Sequence, residues 1–183
     1  MFIWKKNIFF IILAVLIINA ILFFTDPTVA LTSNWKRQIA KYWNNDVIIQ
    51  EIKDCKIYDK KFKIILSTKA EDEKYKYLNV YEKHIGGLYY KCHRASEQGG
   101  SNVLINFSTV IDRNDDFTIM YGYNKNLEIS RCEIKSSDNL DDFIINFDLP
   151  QKEYFIAIFN AVYRGIQNAY GKDGNINTSF FLD

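Results

Sequence analysis

Cysteine and histidine are the side chains of this chain that could serve as nucleophiles, general bases or soft metal ligands. There are three cysteines and two histidines. A structural zinc site needs four such ligands, usually in closely spaced pairs, and neither C-x-x-C nor H-x-x-x-H occurs. Cys92 and His93 are adjacent, but neighbouring residues of a strand point to opposite faces, so His93 is poorly placed to activate the Cys92 thiol. We therefore predict no catalytic residue and no metal site.

The glycine pairs and the acidic segment 112–116 also lack the features of a ligand site. Residues 112–116 begin like a calcium loop, but Phe117 stands where that loop requires glycine and Tyr123 where it requires glutamate. The glycine pairs at 86–87 and 99–100 do not precede a helix, which argues against a phosphate-binding loop. No cofactor is predicted.

An odd number of cysteines leaves at least one thiol unpaired. Cys92 and Cys132 both fall in the middle of predicted strands and are the candidate disulfide. The alternative, which the sequence leaves open, is three reduced cysteines that pack as small apolar side chains.

The polar stretch 84–100 contains a candidate recognition loop, formed by Tyr89, Tyr90, His93 and Arg94. Tyrosine and arginine are enriched in binding hot spots. The alternative is an ordinary hairpin with a flexible return.

Strands are the elements that would position these residues. From Asp46 onward, β-branched and aromatic residues alternate with short turn segments. The short links favour antiparallel pairing. We predict a mainly β domain over 46–183, an antiparallel sandwich or curled meander. Its strands are expected at 47–53, 62–68, 75–82, 88–93, 103–112, 117–123, 127–135 and 143–147.

Residues 150–170 are compatible with two structures. An apolar stripe from Phe155 to Tyr170 favours a helix at about 150–170 packed on the sheet, which would make the fold α+β. Gly165 and the GKDGN turn at 171–175 favour strands instead. We favour strands for 164–182, and the sequence leaves 151–163 open.

The first 24 residues hold 20 apolar residues, two lysines and no acid. A helix of this length approaches the ~30 Å of a bilayer core. We predict a signal-anchor within 1–30 that contacts membrane lipid through residues 3–24. Lys5 and Lys6 place the N-terminus in the cytoplasm and the domain outside. The alternative is a secreted protein cleaved near Ala30, because Thr28-Val29-Ala30 is a small-x-small site.

Residues 31–45 are predicted to hold a short amphipathic helix at 33–44, with Ser33 as its N-cap. Either its aromatic side chains pack on the domain, or the helix is juxtamembrane. In the juxtamembrane case, Trp and Tyr would lie among the headgroups, and Lys36, Arg37 and Lys41 would face anionic lipid.

The formal net charge of +1 argues against a nucleic-acid partner. We expect a non-enzymatic binding or scaffolding module at the cell envelope, with an envelope protein or cell-wall polymer as partner. The alternatives are a subunit of an envelope machine and, least favoured, an enzyme assembled from residues such as His93, Glu97 and Asp112.

The lysine-flanked N-terminal segment, YGYNKNLEI (121–129), AYGKDGNI (169–176) and the richness in Ile, Lys and Asn form a recognisable combination. It resembles small uncharacterised membrane-anchored β-rich proteins of low-GC Gram-positive bacteria. The resemblance implies a membrane anchor and a β-rich domain, and implies no activity or site residues.

Overall fold

The computed structural model describes residues 11–18, 20–21, 25–31, 34–57, 59–84, 89–99, 103–110, 117–135, 144–159 and 165–182. Within these ranges the chain is mainly β, as the sequence predicts. It forms twelve strands in three antiparallel sheets.

The three sheets follow one another along the chain, except that β10 (Tyr154–Phe159), which lies between two strands of sheet C in sequence, belongs to sheet B. Sheet A contains β1 (Val29–Ala30), β2 (Val47–Ile57), β3 (Lys60–Lys69), β4 (Lys76–His84) and β5 (Tyr89–Gln98), in the order β1-β5-β4-β3-β2. Sheet B contains β6 (Val103–Val110), β7 (Phe117–Asn124) and β10 (Tyr154–Phe159), in the order β10-β7-β6. Sheet C contains β8 (Ile129–Lys135), β9 (Ile144–Asp148), β11 (Gly165–Gly171) and β12 (Ile176–Leu182), in the order β12-β11-β8-β9.

Sheet B lies between the other two sheets. Buried residues of β3 and β4, such as Phe62 and Leu78, pack against Ile119 and Tyr121 of β7. We call this cluster core AB. A second cluster, core BC, joins the opposite face of sheet B to sheet C and has as its buried members Met120, Ile129, Cys132, Leu149, Phe155 and Ala169. The stack therefore has one layer more than the predicted sandwich.

Of the region left open between helix and strand, residues 154–159 are extended. Residues 154–159 form β10 and residues 165–171 form β11, so the alternative helix at 150–170 is wrong. Phe155 packs in core BC and its neighbour Ile156 in core AB, because both faces of sheet B are covered. A strand buried on both faces is apolar without alternation, and periodicity alone cannot separate it from a buried helix.

The predicted hairpin over 164–182 is confirmed. Strands β11 and β12 pair antiparallel from Gly165–Leu182 to Tyr170–Ile176. Gly174 in the turn has φ 80°, a conformation that favours glycine.

Helix α1 (Trp35–Trp43) covers the outer face of sheet A. Its N-cap is Asn34, whose side chain accepts a hydrogen bond from the Arg37 N–H. The predicted cap, Ser33, lies outside the described residues. Ile39 is fully buried, and the helix lies against the domain. The buried members of this third cluster, the helix core, are Ala30, Ile39, Val47, Ile65, Tyr77, Tyr81 and Tyr90.

The aromatic residues of α1 face the sheet. Trp43 stacks on Tyr77 at 4.6 Å between ring centroids. Trp35 lies 5.0 Å from Tyr81. These two tryptophans therefore contribute to the domain interior, whereas the juxtamembrane interpretation expected them among headgroups.

Residues 11–18 are helical. Their large apolar side chains, together with Ile21, are 40% to 63% exposed, and they are Ile11, Ile12, Leu13, Val15, Leu16, Ile17, Ile18 and Ile21. None of the helices within the described ranges has the length and apolar character needed to cross a bilayer. Residues 1–10, 19 and 22–24 of the predicted signal-anchor lie outside those ranges.

Candidate functional site

The residues predicted as a recognition loop belong to a strand. Tyr89, Tyr90, His93 and Arg94 all lie in β5, which pairs with β4 from His84–Tyr89 to Lys76–Gln98. The loop prediction is therefore wrong. Its physical cause is that a strand paired along its whole length tolerates polar side chains on its exposed positions, so polarity alone did not indicate irregular backbone.

The two tyrosines at the start of β5 have different surroundings. Tyr90 is 7% exposed and meets Trp35 edge-on at 5.1 Å in the helix core. Tyr89 stacks on His84 at 5.5 Å between ring centroids. Neither arrangement forms a flexible recognition segment.

His93 lies at a β-bulge. In the pairing of β4 with β5, Val80 faces Arg94 and Tyr81 faces Cys92, so His93 is the extra residue. Its Nδ1 is 3.7 Å from the Glu82 carboxylate. Its ring meets Phe62 of core AB at 6.2 Å, whereas Cys92 packs against the helix core. The two side chains therefore lie on opposite faces of sheet A.

The candidate disulfide partners are not brought together. Cys92 packs against the helix core and Cys132 in core BC, so two sheets separate them, and all three cysteines are free thiols. Burial raises the pKa of Cys55 and Cys92 to about 11 and that of Cys132 to about 12. At neutral pH the thiols are therefore protonated and weakly nucleophilic.

A basic cavity on the outer face of sheet A is the strongest candidate site. It has a volume of about 480 Å³ and lies where β2 ends and β3 begins. We call it the lysine groove, and its lining residues are Asp54, Cys55, Lys56, Lys61, Phe62, Lys63, Lys83 and Tyr90. It contains four lysines and one carboxylate.

Strand register brings these lysines together. Asp54 pairs with Lys63, and Lys56 pairs with Lys61. Paired residues share a face, and residues two apart along a strand share it too, so Lys61 and Lys63 project from the same side. Lys83 joins them from β4, where it pairs with Tyr90.

Two of the four lysines have partners within the protein. The Lys63 ammonium donates to the Asp54 carboxylate at 2.5 Å. It also lies 5.8 Å from the ring centroid of Trp35 and 6.0 Å from that of Tyr90. Lys83 lies 5.9 Å from the Tyr90 ring. These cation–π contacts hold the ammonium groups of Lys63 and Lys83 against the aromatic side of the groove.

The other two lysines are exposed. Within the part of the chain that the structure describes, Lys56 and Lys61 have no ion-pair partner. Because Asp54 neutralises only Lys63, the groove keeps a surplus of three positive charges. Such an arrangement can bind an anion.

Sequence reasoning missed this groove. The available signal was the spacing of Lys56, Lys61 and Lys63 around the turn between β2 and β3, since cross-strand partners share a face. Using it required the register of the hairpin, in which pairing runs without a break from Ile57–Lys60 to Glu51–Leu66, and also the placement of Lys83 from β4.

Among the described residues, no group of three or more His, Cys, Asp or Glu side chains could hold a metal ion. Comparison with protein-family models, with curated proteins and with solved structures finds no significant match to this chain.

Proposed function

We propose that this chain is a membrane-anchored, extracytoplasmic and non-enzymatic binding module. Its lysine groove binds an anionic, phosphodiester-bearing polymer of the cell envelope. The observation that carries the proposal is the surplus of three positive charges around a cavity of about 480 Å³.

The lysines favour a phosphate ligand. Ammonium groups are compact, strongly hydrated charges that bind phosphate oxygens without demanding one fixed geometry. Each exposed pair contributes little, so useful affinity needs several contacts. A polymer with repeated phosphodiesters can engage Lys56, Lys61 and Lys83 together, which a single small anion cannot do as well.

The N-terminal helix supports the membrane anchor. Eight large apolar side chains between Ile11 and Ile21 are at least 40% exposed. A continuous apolar surface of this kind is costly in water and marks a contact with lipid or another apolar partner. Lys5 and Lys6 precede the apolar run, which favours a cytoplasmic N-terminus.

The surroundings of the nucleophilic side chains support a non-enzymatic role. The Cys92 thiol has a pKa raised to about 11 by burial, and His93 lies on the other face of the sheet. A catalytic thiol requires the opposite, a lowered pKa beside a base.

Binding of a defined polymer tests the proposal. The full chain is placed in nanodiscs of phosphatidylcholine, and its affinity for fluorescent poly(glycerol phosphate) is measured by anisotropy. The triple variant Lys56→Gln, Lys61→Gln, Lys83→Gln should bind about tenfold to hundredfold more weakly, from a few-fold loss per lysine. Raising the salt concentration should weaken wild-type binding, because these charges are screened by ions.

A matched control makes the same change in charge elsewhere. The triple variant Lys74→Gln, Lys152→Gln, Lys172→Gln removes three exposed lysines outside the groove. It should bind like the wild type. Equal losses in both triple variants would mean that net charge, and not the groove, attracts the polymer, and an absence of wild-type binding would refute the proposal.

A further inference from the structure

Residues 25–30, between the apolar N-terminal helix and α1, are part of the folded domain. We propose that they form a strap that keeps the N-terminal segment attached to the mature protein, so that Thr28-Val29-Ala30 is not a processing site. This inference rests on the proposed membrane anchor.

Strand β1 covers the edge of sheet A. Val29 pairs with Lys91 and Ala30 with Tyr90. The Cys92 N–H donates to the Thr28 carbonyl at 2.6 Å, which extends the pairing by one residue. Without β1, the backbone of β5 would form an open sheet edge at this point.

The side chains of β1 are buried as well. Val29 is 6% exposed and Ala30 is fully buried in the helix core beside Ile39. In the folded domain these residues are enclosed between sheet and helix, where a protease cannot bind them in an extended form.

The residues before β1 are fixed by α1 and by a local turn. The Lys41 ammonium donates to the Thr25 carbonyl at 2.5 Å, and the Gln38 side-chain amide donates to the Pro27 carbonyl at 2.7 Å. Asp26 accepts from the Thr28 N–H at 2.8 Å and from its hydroxyl at 2.7 Å. The described contacts with the domain therefore begin at Thr25.

Cleavage after Ala30 would remove a structural strand of the domain. The product would begin at Leu31, expose the edge of β5 and leave Tyr90 with a backbone partner on the β4 side only. Tyr90 lines the lysine groove and lies beneath the ammonium groups of Lys63 and Lys83. Retention of the strap therefore also preserves the groove.

Intact-mass spectrometry tests retention directly. The full chain is expressed in a Gram-positive host, and the protein recovered from the membrane and from the medium is weighed. The expected result is a membrane-bound chain that retains residues 1–30, apart from processing of Met1. A product that begins at Leu31 would overturn the inference and, with it, the proposed membrane anchor.

Hydrogen exchange tests the strap independently of its processing. Ala30→Glu places a carboxylate in the fully buried position, and the Cys92 amide should then exchange at least about tenfold faster while amides of β2 and β3 keep their rates. Leu31→Glu makes the same change at a position that is 48% exposed, and should leave the Cys92 amide unchanged.

The outcomes separate this inference from the proposed function. Unchanged exchange in Ala30→Glu would show that β1 is not a strap, whatever the groove binds. If Ala30→Glu does not fold, the mass of the wild-type chain still decides the question. Conversely, a failure of poly(glycerol phosphate) binding would refute the groove's role and leave the exchange result and the mass unaffected.

Discussion

Each of the three cysteines packs against a different cluster of the stack. Cys55 contacts core AB, Cys92 the helix core and Cys132 core BC. The positions of Cys92 and Cys132 in predicted strands suggested a pair across a sheet or between sheets, but β5 belongs to sheet A and β8 to sheet C. The thiols therefore behave as small apolar side chains, which is the alternative that the sequence left open.

Slow alkylation of the folded chain is the first consequence at the residue scale. A thiol with a pKa of about 11 carries roughly a hundredfold less thiolate at pH 8 than one with the ordinary value of 9.0. Iodoacetamide at pH 8 should therefore modify the folded protein at least about a hundredfold more slowly than the protein in urea. Timed intact-mass measurements give both rates.

Denatured, non-reduced protein provides the control for this experiment. All three cysteines should react in urea without reductant. Two cysteines that stay unmodified there would indicate a disulfide, and a folded protein that reacts as fast as the denatured one would contradict the buried positions.

Strand β10 contributes buried side chains to both faces of sheet B. Phe155 packs in core BC and Ile156 in core AB, so consecutive side chains enter different cores. In a helix with the stripe that the sequence suggested, Phe155 would be buried and Ile156 would point away from that stripe.

Substitutions at these two neighbours distinguish the strand from the helix. Phe155→Ala should lower the free energy of unfolding by about 3–5 kcal/mol, and Ile156→Ala by about 2–5 kcal/mol. Urea denaturation of the purified chain measures both. Lys152→Ala, at a side chain that is 65% exposed, should change stability by less than about 0.5 kcal/mol. Tolerance at Ile156 with intolerance at Phe155 would contradict the observed strand.

Much of the element pattern could be predicted from the sequence. The β-branched and aromatic runs between turn residues located strands β2 to β9, and GKDGN located the hairpin of β11 and β12. The polar stretch before Gln98 does not reveal its structure locally, because it continues a strand that pairs with β4 along its length and with β1 only near Tyr90. The lysine groove depends on which strands become neighbours and in which register, and this information is not local.

The described part of the chain from residue 25 onward stacks α1, sheet A, sheet B and sheet C. The three clusters between these layers contain ionisable groups that are neutral at pH 7. Burial raises the pKa of Tyr81 and Tyr121, and it raises the pKa of Tyr154 to about 12. The three thiols are shifted in the same direction. In the unfolded chain all these groups ionise at lower pH than in the folded protein.

Alkaline instability follows at the scale of the molecule. Below about pH 9 these groups should not lower the free energy of unfolding. As the pH rises toward their folded pKa values, the free energy of unfolding should fall, because the unfolded state then loses protons that the native state retains. For Cys132 this pH range runs from 9.0, the ordinary pKa, to about 12, the folded pKa. Within its own range, each such group lowers the free energy of unfolding by about 1.4 kcal/mol per pH unit. Urea midpoints at pH 7.5, 9 and 10.5 measure the fall.

Cys132→Ala removes one of these groups. Between pH 9 and 10.5 the free energy of unfolding of this variant should fall by about 1.5 kcal/mol less than that of the wild type. At pH 7.5 the variant should be the less stable protein, because a buried side chain is shortened. Parallel pH profiles for the two proteins would contradict a raised pKa at this position.

The pairing of β1 with β5 also constrains the order in which the chain can fold. Val29 and Lys91 are separated by roughly sixty residues, so closing this contact carries the loop entropy of a long segment. During synthesis from the N-terminus, Val29 and Ala30 emerge before every other strand and have no partner until β5 has followed. The first strand to be made is thus among the last in sheet A to be paired, and folding intermediates will present the edge of β5 while β2, β3 and β4 are already in place.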